Sequence, residues 1–279
     1  MKETSTSNDY SKRFKLDKLT SDVFGPENPP KDWADASLLV PHEALRMEMN
    51  CMIQSVDKLS ELTKSNTMQS WQVVYFCEWY LDVFAPFCHE HHDVEEKIYF
   101  PWLQTRADIP KKELSKEHEE IVEILDELTS ICKKIICKTG YDCKDEVEEM
   151  RTKTNVFVLN MREHMAEEER DIPPLAKKVF TEAEEKKILN KIIRRSKPTT
   201  TRKFSPSILI SVSEWSTPEY YLEFRKEIPG PVLHVMEKYY RPDFETSIKP
   251  KRDAPFLQEE PILSRRKCFG LPFGPSCIC

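Results

Sequence analysis

The chain has 279 residues, of which 32% are charged and 39% hydrophobic, with only five glycines. This composition is typical of a soluble helical protein, and the length is sufficient to bury a full core. The formal net charge of −6 argues against a nucleic-acid partner, because nucleic-acid binding needs a basic face. No apolar run reaches the length of a transmembrane helix, and the first residues lack a signal-peptide core.

The nine cysteines also indicate a compartment. They are odd in number, scattered along the chain and free of any Cys-x-x-Cys motif. This pattern favours reduced thiols over a disulfide framework, so we expect a cytoplasmic location.

Three regions are predicted from the distribution of polar, apolar and proline residues. Residues 1–34 are polar and are interpreted as a mobile N-terminal arm. Residues 35–195 carry apolar residues at helical spacing and are predicted to form a helical bundle. Residues 196–279 contain eleven of the twenty prolines. For this extension we expect at most short helices, with aromatic side chains that pack along the bundle.

Four helices are predicted within the bundle region. The first is expected to begin at Pro41, because proline favours the first helical position. The second runs from about Met68 to Phe100, and Pro86 is expected to kink or locally open it. The third covers about 108–140. The fourth is expected to end at Pro173-Pro174.

The segment 88–103 of the second helix is dense in side chains that bind metals. His91 and Glu95 are four residues apart and therefore lie on the same helical face. That face coincides with the apolar stripe of the helix, so both side chains are predicted to point into the core. A buried carboxylate is costly unless it is paired or bound to a metal. His89 and Glu96 point away from the stripe and are expected to face water.

Each of the four predicted helices places a histidine on its core-facing stripe. Two of these histidines are followed by a glutamate four residues later. If neighbouring helices are antiparallel, as in a four-helix bundle, all four histidines meet at one end of the bundle. His92 lies at the edge of the stripe and could reach a second metal. The resulting candidate metal ligands are His42, His91, His92, Glu95, His118, His164 and Glu168.

The chemistry of these donor atoms limits the number of candidate metals. Imidazole nitrogens with carboxylate oxygens and no thiolate suit iron, manganese or zinc. Two glutamates could bridge two metal ions and leave an open position for a small ligand. A single buried histidine is usually a core residue whose ring nitrogens are hydrogen-bonded. Burying four histidines and two glutamates together without a metal would cost several kcal/mol. Glu167 and Glu169 are interpreted as solvated or supporting residues.

Four motifs in this order resemble the hemerythrin-like (HHE cation-binding) family, over about residues 36–180. The motifs are Pro41-His42-Glu43, His91-His92-x-x-Glu95-Glu96-x-x-x-Phe100-Pro101, Lys116-Glu117-His118-Glu119 and Glu163-His164-x-x-Glu167-Glu168.

The resemblance implies an all-α fold: an up-down-up-down four-helix bundle, here with a Pro-rich C-terminal extension packing on it. It also implies a centre of two non-haem iron ions, with manganese or zinc as alternatives, that binds dioxygen or a related species such as peroxide. The positions that match the family's ligands are His42, His91, Glu95, His118, His164 and Glu168.

Two departures from the family's oxygen carriers make reversible oxygen transport a poor expectation. Those carriers have a second histidine one turn from the first on the third helix, where this chain has Leu114 and Val122. Their final aspartate position is occupied here by Glu169. A ferritin-like oxidase is also disfavoured, because its Glu-x-x-His motif is absent.

These observations favour a non-haem di-iron protein for iron or oxygen sensing, storage or detoxification. The alternative is a metal-stabilised regulatory module that signals to a protein partner through its C-terminal tail, since metal binding can supply folding energy. The sequence shows no dedicated acid–base residue, so we do not expect an enzyme, although weak peroxide or oxidase chemistry at the metal site stays open.

Overall fold

A computed structural model describes residues 21, 24, 25, 28–195 and 198–263. Predictions for most of the N-terminal arm and for residues 264–279 lie outside these ranges. Apart from an isolated bridge between Gly25 and Asn28, every named element in the described residues is helical. The prediction of an all-α fold is confirmed.

Four long helical segments carry the predicted bundle region. Helices α1, α3 and α4 are Trp33–Lys64, Lys111–Cys137 and Lys144–Val179. Helix α2 is a continuous run of five pieces, of which the second and fourth are π-helical: Ser70–Trp79, Tyr80–Phe84, Ala85–Val94, Glu95–Tyr99 and Phe100–Leu103.

Both π-helical turns of α2 end two residues before a proline. The turn Tyr80–Phe84 precedes Pro86, and the turn Glu95–Tyr99 precedes Pro101. Proline lacks an N–H and clashes with the carbonyl one turn earlier, and a wider turn relieves that clash. The predicted local opening at Pro86 is confirmed. The expected end of the helix before Pro101 is wrong, because the widened turn lets it continue to Leu103.

Three other prolines predicted to mark helix ends lie inside helices instead. Pro41 lies within α1, which begins at Trp33 with Asp32 as its N-cap. Pro173 and Pro174 lie within α4. Apolar side chains on both sides of these prolines are buried, including Leu38 before Pro41 and Ala176 after Pro174. This packing outweighs the local cost of the missing backbone hydrogen bonds.

Within the described ranges, buried apolar side chains form two clusters. The larger one is formed by residues such as Met49, Leu125 and Phe157. The smaller one includes Leu38 and Leu114. His42, His91 and His118 lie between the two clusters along their helices, and on α4 it is Glu168, one turn after His164, that lies between Met165 of the larger cluster and Ile172 of the smaller one. The candidate ligands therefore form a polar layer that is closed by apolar side chains on both sides.

Further helices follow the bundle region. Helix α5, Glu182–Arg195, begins at a Thr181-x-x-Glu184 capping motif, where the Thr181 N–H donates to Glu184 Oε2 over 2.9 Å. Beyond it, the described residues form α6 (Pro198–Trp215), α7 (Pro218–Glu227) and a run of short α- and π-helical pieces from Gly230–Val235 to Lys249–Arg252.

Helix α6 is longer than the sequence predicted for this region. Its side chains Leu209 and Val212 are at most 1% exposed, and α6 contacts α1. Ser207 donates to Glu48 of α1 over 2.5 Å, so contacts with the rest of the protein stabilise a helix whose own amphipathic pattern is weak. No helix in the described part of the chain has the length and apolarity needed to cross a membrane.

Gly140 is required where α3 turns into α4. Its φ is +75°, and a Cβ there would lie 2.6 Å from the Ser70 carbonyl oxygen. We expect Gly140→Ala to lower the free energy of unfolding by about 2 kcal/mol, because it adds both backbone strain and a clash with backbone. Gly230→Ala is the matched control, since no atom lies within 4 Å of its Cβ position. Equal denaturant midpoints for the two variants would contradict this account.

Glu185 makes the stability depend on pH. Its side chain is buried in α5, and burial, with a smaller contribution from the charge of Glu182, raises its pKa from 4.5 to about 7. Between these values the folded chain holds a proton that the unfolded chain releases, so stability falls as pH rises. Compared with Glu185→Gln, the free energy of unfolding of the wild type should fall by about 1–3 kcal/mol as the pH rises from ~4.5 to ~8. The explanation would be refuted if denaturant titrations showed the same difference in stability between wild type and Glu185→Gln at every pH in this range.

Candidate metal centre

The structure brings all seven predicted ligands together in the polar layer, and each is at most 8% exposed. Six of them supply the donor atoms of two overlapping groups of four, in each of which the atoms lie within 4.8 Å of one another. The first, called the His42 group, is His42, His91, Glu95 and Glu168; the second, called the His118 group, is Glu95, His118, His164 and Glu168. His92 forms a further group with His118 and His164 by the same distance criterion.

Glu95 and Glu168 belong to both groups. Oε1 of Glu95 is 3.4 Å from Nε2 of His91, whereas its Oε2 is 3.5 Å from Nε2 of His118. Oε2 of Glu168 is 3.3 Å from Nε2 of His42, whereas its Oε1 is 3.4 Å from Nε2 of His164. Each glutamate thus directs one oxygen towards each group. This is the arrangement of a carboxylate that bridges two cations.

Many of these buried donor atoms have no hydrogen-bond partner. A buried polar atom without a partner costs about 1–3 kcal/mol. Separations of 3.3–3.8 Å are long for hydrogen bonds. They suit two donors that each lie about 2.0–2.2 Å from one shared ion. The unpartnered atoms are Nε2 of His42 and His91, both ring nitrogens of His92, Oε2 of Glu95 and both carboxylate oxygens of Glu168.

The contact between His118 and His164 also suits a cation site. Their Nε2 atoms lie 2.8 Å apart. Each ring also has its Nδ1 within hydrogen-bond distance of a carboxylate, Glu96 for His118 and Glu117 for His164. When both rings donate from Nδ1, both Nε2 atoms present lone pairs to each other. A proton on one Nε2 atom or a metal ion between them removes that repulsion, so the residues present fit a metal ion.

The electrostatics keep several ligands in the form that binds metal. Burial, reinforced by neighbouring histidine charges, lowers the pKa of His91 and His92 well below the ordinary value. Burial opposes ionisation of Glu168, but its histidine contacts hold its pKa well below the usual range. Burial also opposes protonation of His164, whose pKa the nearby carboxylates nevertheless raise to about 9. A metal ion must therefore displace a proton from His164.

The prediction that Glu96 faces water is wrong in part. Its side chain is half-buried, and Oε1 accepts from His118 Nδ1 over 2.9 Å and from Ser115 Oγ over 2.7 Å. Glu96 lies in the π-helical turn that begins at Glu95, a local irregularity that an ideal helical wheel does not describe. His89 is partly exposed and lies 3.3 Å from Asp126, as its position off the stripe predicts.

Two other supporting carboxylates lie against the ligands. Glu117, for which the sequence predicts no role, accepts from His164 Nδ1 over 2.8 Å. Glu169, interpreted as solvated or supporting, is 5% exposed and accepts from His42 Nδ1 over 2.9 Å. Their supporting role could have been predicted from their positions in the sequence, because each carboxylate directly neighbours a predicted ligand.

Comparison with known proteins agrees with this geometry. The family model of the hemerythrin HHE cation binding domain matches residues 37–176, a range that contains all seven candidate ligands. No curated protein and no solved structure matches the chain. Because the family match spans half of the chain, and because its residues surround a buried imidazole–carboxylate centre, the chain belongs to the hemerythrin HHE cation-binding domain family.

Proposed function

We propose that this protein binds two non-haem iron ions within the polar layer. We further propose that the centre binds dioxygen or a related small ligand, for iron or oxygen sensing, storage or detoxification. The observation that carries the proposal is the position of Glu95 and Glu168, each with one oxygen towards either group of histidines. Nitrogen and oxygen donors without thiolate favour iron, and manganese or zinc are the alternatives.

Specific residues would hold the two ions. His42 and His91 would bind one ion, and His118 and His164 the other, with Glu95 and Glu168 between them. His92 supplies a third imidazole on the His118 side, where the oxygen carriers of the family use a residue of the third helix. Bound iron supplies redox chemistry and an open coordination position for a diatomic ligand.

The protein's own contribution is to exclude water. The Phe100 ring lies parallel to the His118 ring, with centroids 5.7 Å apart. The smaller apolar cluster, which includes Phe100 and Leu114, covers the layer on that side. An environment from which water is excluded favours binding of a small apolar molecule and strengthens the electrostatic contacts of the carboxylates.

The finer architecture is part of the proposal. We propose an up-down-up-down bundle over residues 35–195, preceded by an arm (1–34) and followed by an extension (196–279) that packs on it. Supporting observations are the contacts of α4 with α1 and α3, those of α2 with α3, and those of α6 with α1. The free thiols of the described cysteines support a cytoplasmic location.

One set of contacts favours the alternative, a regulatory module that signals through the tail. Phe204 of α6 stacks on Phe87 of α2, one turn before His91, with ring centroids 4.4 Å apart. Arg252 binds Glu48 of α1 over 3.0 Å. The tail thus touches both helices that supply the histidines of the His42 group, so a change at the metal centre could reach it.

Iron loading tests the main proposal. After anaerobic loading with Fe²⁺ and exposure to air, the wild type should show near-ultraviolet absorption that shifts when azide, a small anionic probe, is added. The double variant His118→Ala/His164→Ala should lose this response and at least half of the iron, because both imidazoles of one group are gone. His89→Ala is the control and should retain both. A double variant with full iron content would overturn the assignment.

Chelation tests the regulatory alternative. If metal orders the bundle and the tail reports it, removing the metal should lower the melting temperature by about 5 °C or more and speed proteolysis of residues 198–263. The measurement is limited proteolysis with mass analysis, with and without chelator. Unchanged cleavage and melting would leave the alternative without a mechanism.

A further inference from the structure

Three carboxylates lie outside the two candidate groups but contact their imidazoles. In each case the carboxylate comes from one helix, the histidine from the next, and the atom contacted is Nδ1. The contacts are Glu96 of α2 to His118 of α3 (2.9 Å), Glu117 of α3 to His164 of α4 (2.8 Å) and Glu169 of α4 to His42 of α1 (2.9 Å).

These contacts determine which nitrogen faces the centre. A neutral imidazole has one N–H and one lone pair. When Nδ1 donates to a carboxylate, the lone pair is on Nε2. Nε2 is the atom that lies nearest Glu95 and Glu168 for all three histidines. Each contact therefore selects the tautomer that can bind a metal ion at the observed position.

The three carboxylates are placed by adjacency in the sequence. Glu96 follows Glu95, Glu117 precedes His118, and Glu169 follows Glu168. Neighbouring residues on a helix point about 100° apart. One residue of each pair can thus enter the centre while the other reaches the adjacent helix.

Two of these carboxylates are held by further groups. Glu169 accepts from Arg46 Nη1 over 2.7 Å and from Ser21 Oγ over 2.8 Å. Glu96 accepts from Ser115 Oγ over 2.7 Å. An incidental surface pair does not have such support. These two carboxylates can therefore orient His42 and His118, because their own positions are fixed by other groups as well.

We infer that Glu96, Glu117 and Glu169 are positioning residues that hold three ligand imidazoles in the metal-binding orientation, an inference that rests on the proposed metal-binding function. The same contacts join α2 to α3, α3 to α4 and α4 to α1. Metal binding and the packing of the four helices are therefore coupled through these carboxylates.

The chain offers a matched pair of variants on either side of His118. Glu117 contacts His164, whereas Glu119 on the same helix is exposed. Both are changed to glutamine, and Zn²⁺ serves as a diamagnetic probe. Chelator competition should show zinc binding weakened about 10–100-fold in Glu117→Gln. In Glu119→Gln we expect a change of about twofold or less, because exposed charges are screened.

Side-chain ¹H–¹⁵N spectra of the zinc-loaded proteins supply a readout that a loss of general stability would not produce. The His164 Nδ1 proton should exchange slowly in the wild type and in Glu119→Gln, and faster in Glu117→Gln. Glu96→Gln, monitored at His118, provides a second variant should Glu117→Gln fold poorly. If the wild type binds zinc and all variants show the same zinc affinity and the same Nδ1 proton exchange, the inference about the positioning residues is wrong while the proposed function stands. Absence of zinc and iron binding by the wild type would overturn the proposed function with it.

Discussion

Two carboxylates in a dry interior are the constraint on which the rest of this structure depends. Glu95 and Glu168 are 3% and 0% exposed, and three of their four oxygens lack a hydrogen-bond partner. An isolated buried carboxylate is costly, and a second one nearby adds repulsion. The imidazoles around them reduce that cost only if they carry protons or share cations. The ligand set is therefore stabilised either by metal ions or by protons on imidazoles such as His164, whose pKa is raised to about 9.

The helices are shaped to deliver these groups. Glu95 begins a π-helical turn, and such turns are frequent at functional sites because they redirect side chains without ending the helix. The prolines that follow each π-helical turn of α2 explain the widening physically. Beyond the ligands, the smaller apolar cluster anchors the helix ends. The centre consequently lies between two packed regions and is not at a frayed terminus.

The ligands could be predicted because they combine two independent signals, helical periodicity and metal-binding chemistry. His42, His91, His118 and His164 all lie on apolar stripes, and an imidazole on such a stripe requires an explanation. Even His92, at the edge of its stripe, lies within reach of the His118 group. The order of the family motifs along the chain also predicted the order of the helices that carry the ligands.

Other features could not be read from local sequence. Pro41 and Pro173 are local helix-end signals, but tertiary burial of their neighbours keeps both inside helices. Helix α6 depends on contacts with α1 that are distant in sequence. Glu96 was expected to face water because an ideal wheel has no π-helical turn. Each error arises where long-range packing or a local irregularity outweighs regular helical geometry.

The most direct test of the account is the number of iron ions bound, measured by anaerobic Fe²⁺ titration of the wild type and of Glu168→Ala. Because Glu168 contacts both groups of histidines, its removal should weaken both positions. The wild type should saturate at about two ions per chain, and the variant should bind about one or none with measurable affinity. A variant that still binds two ions as tightly as the wild type would contradict a centre bridged by buried glutamates.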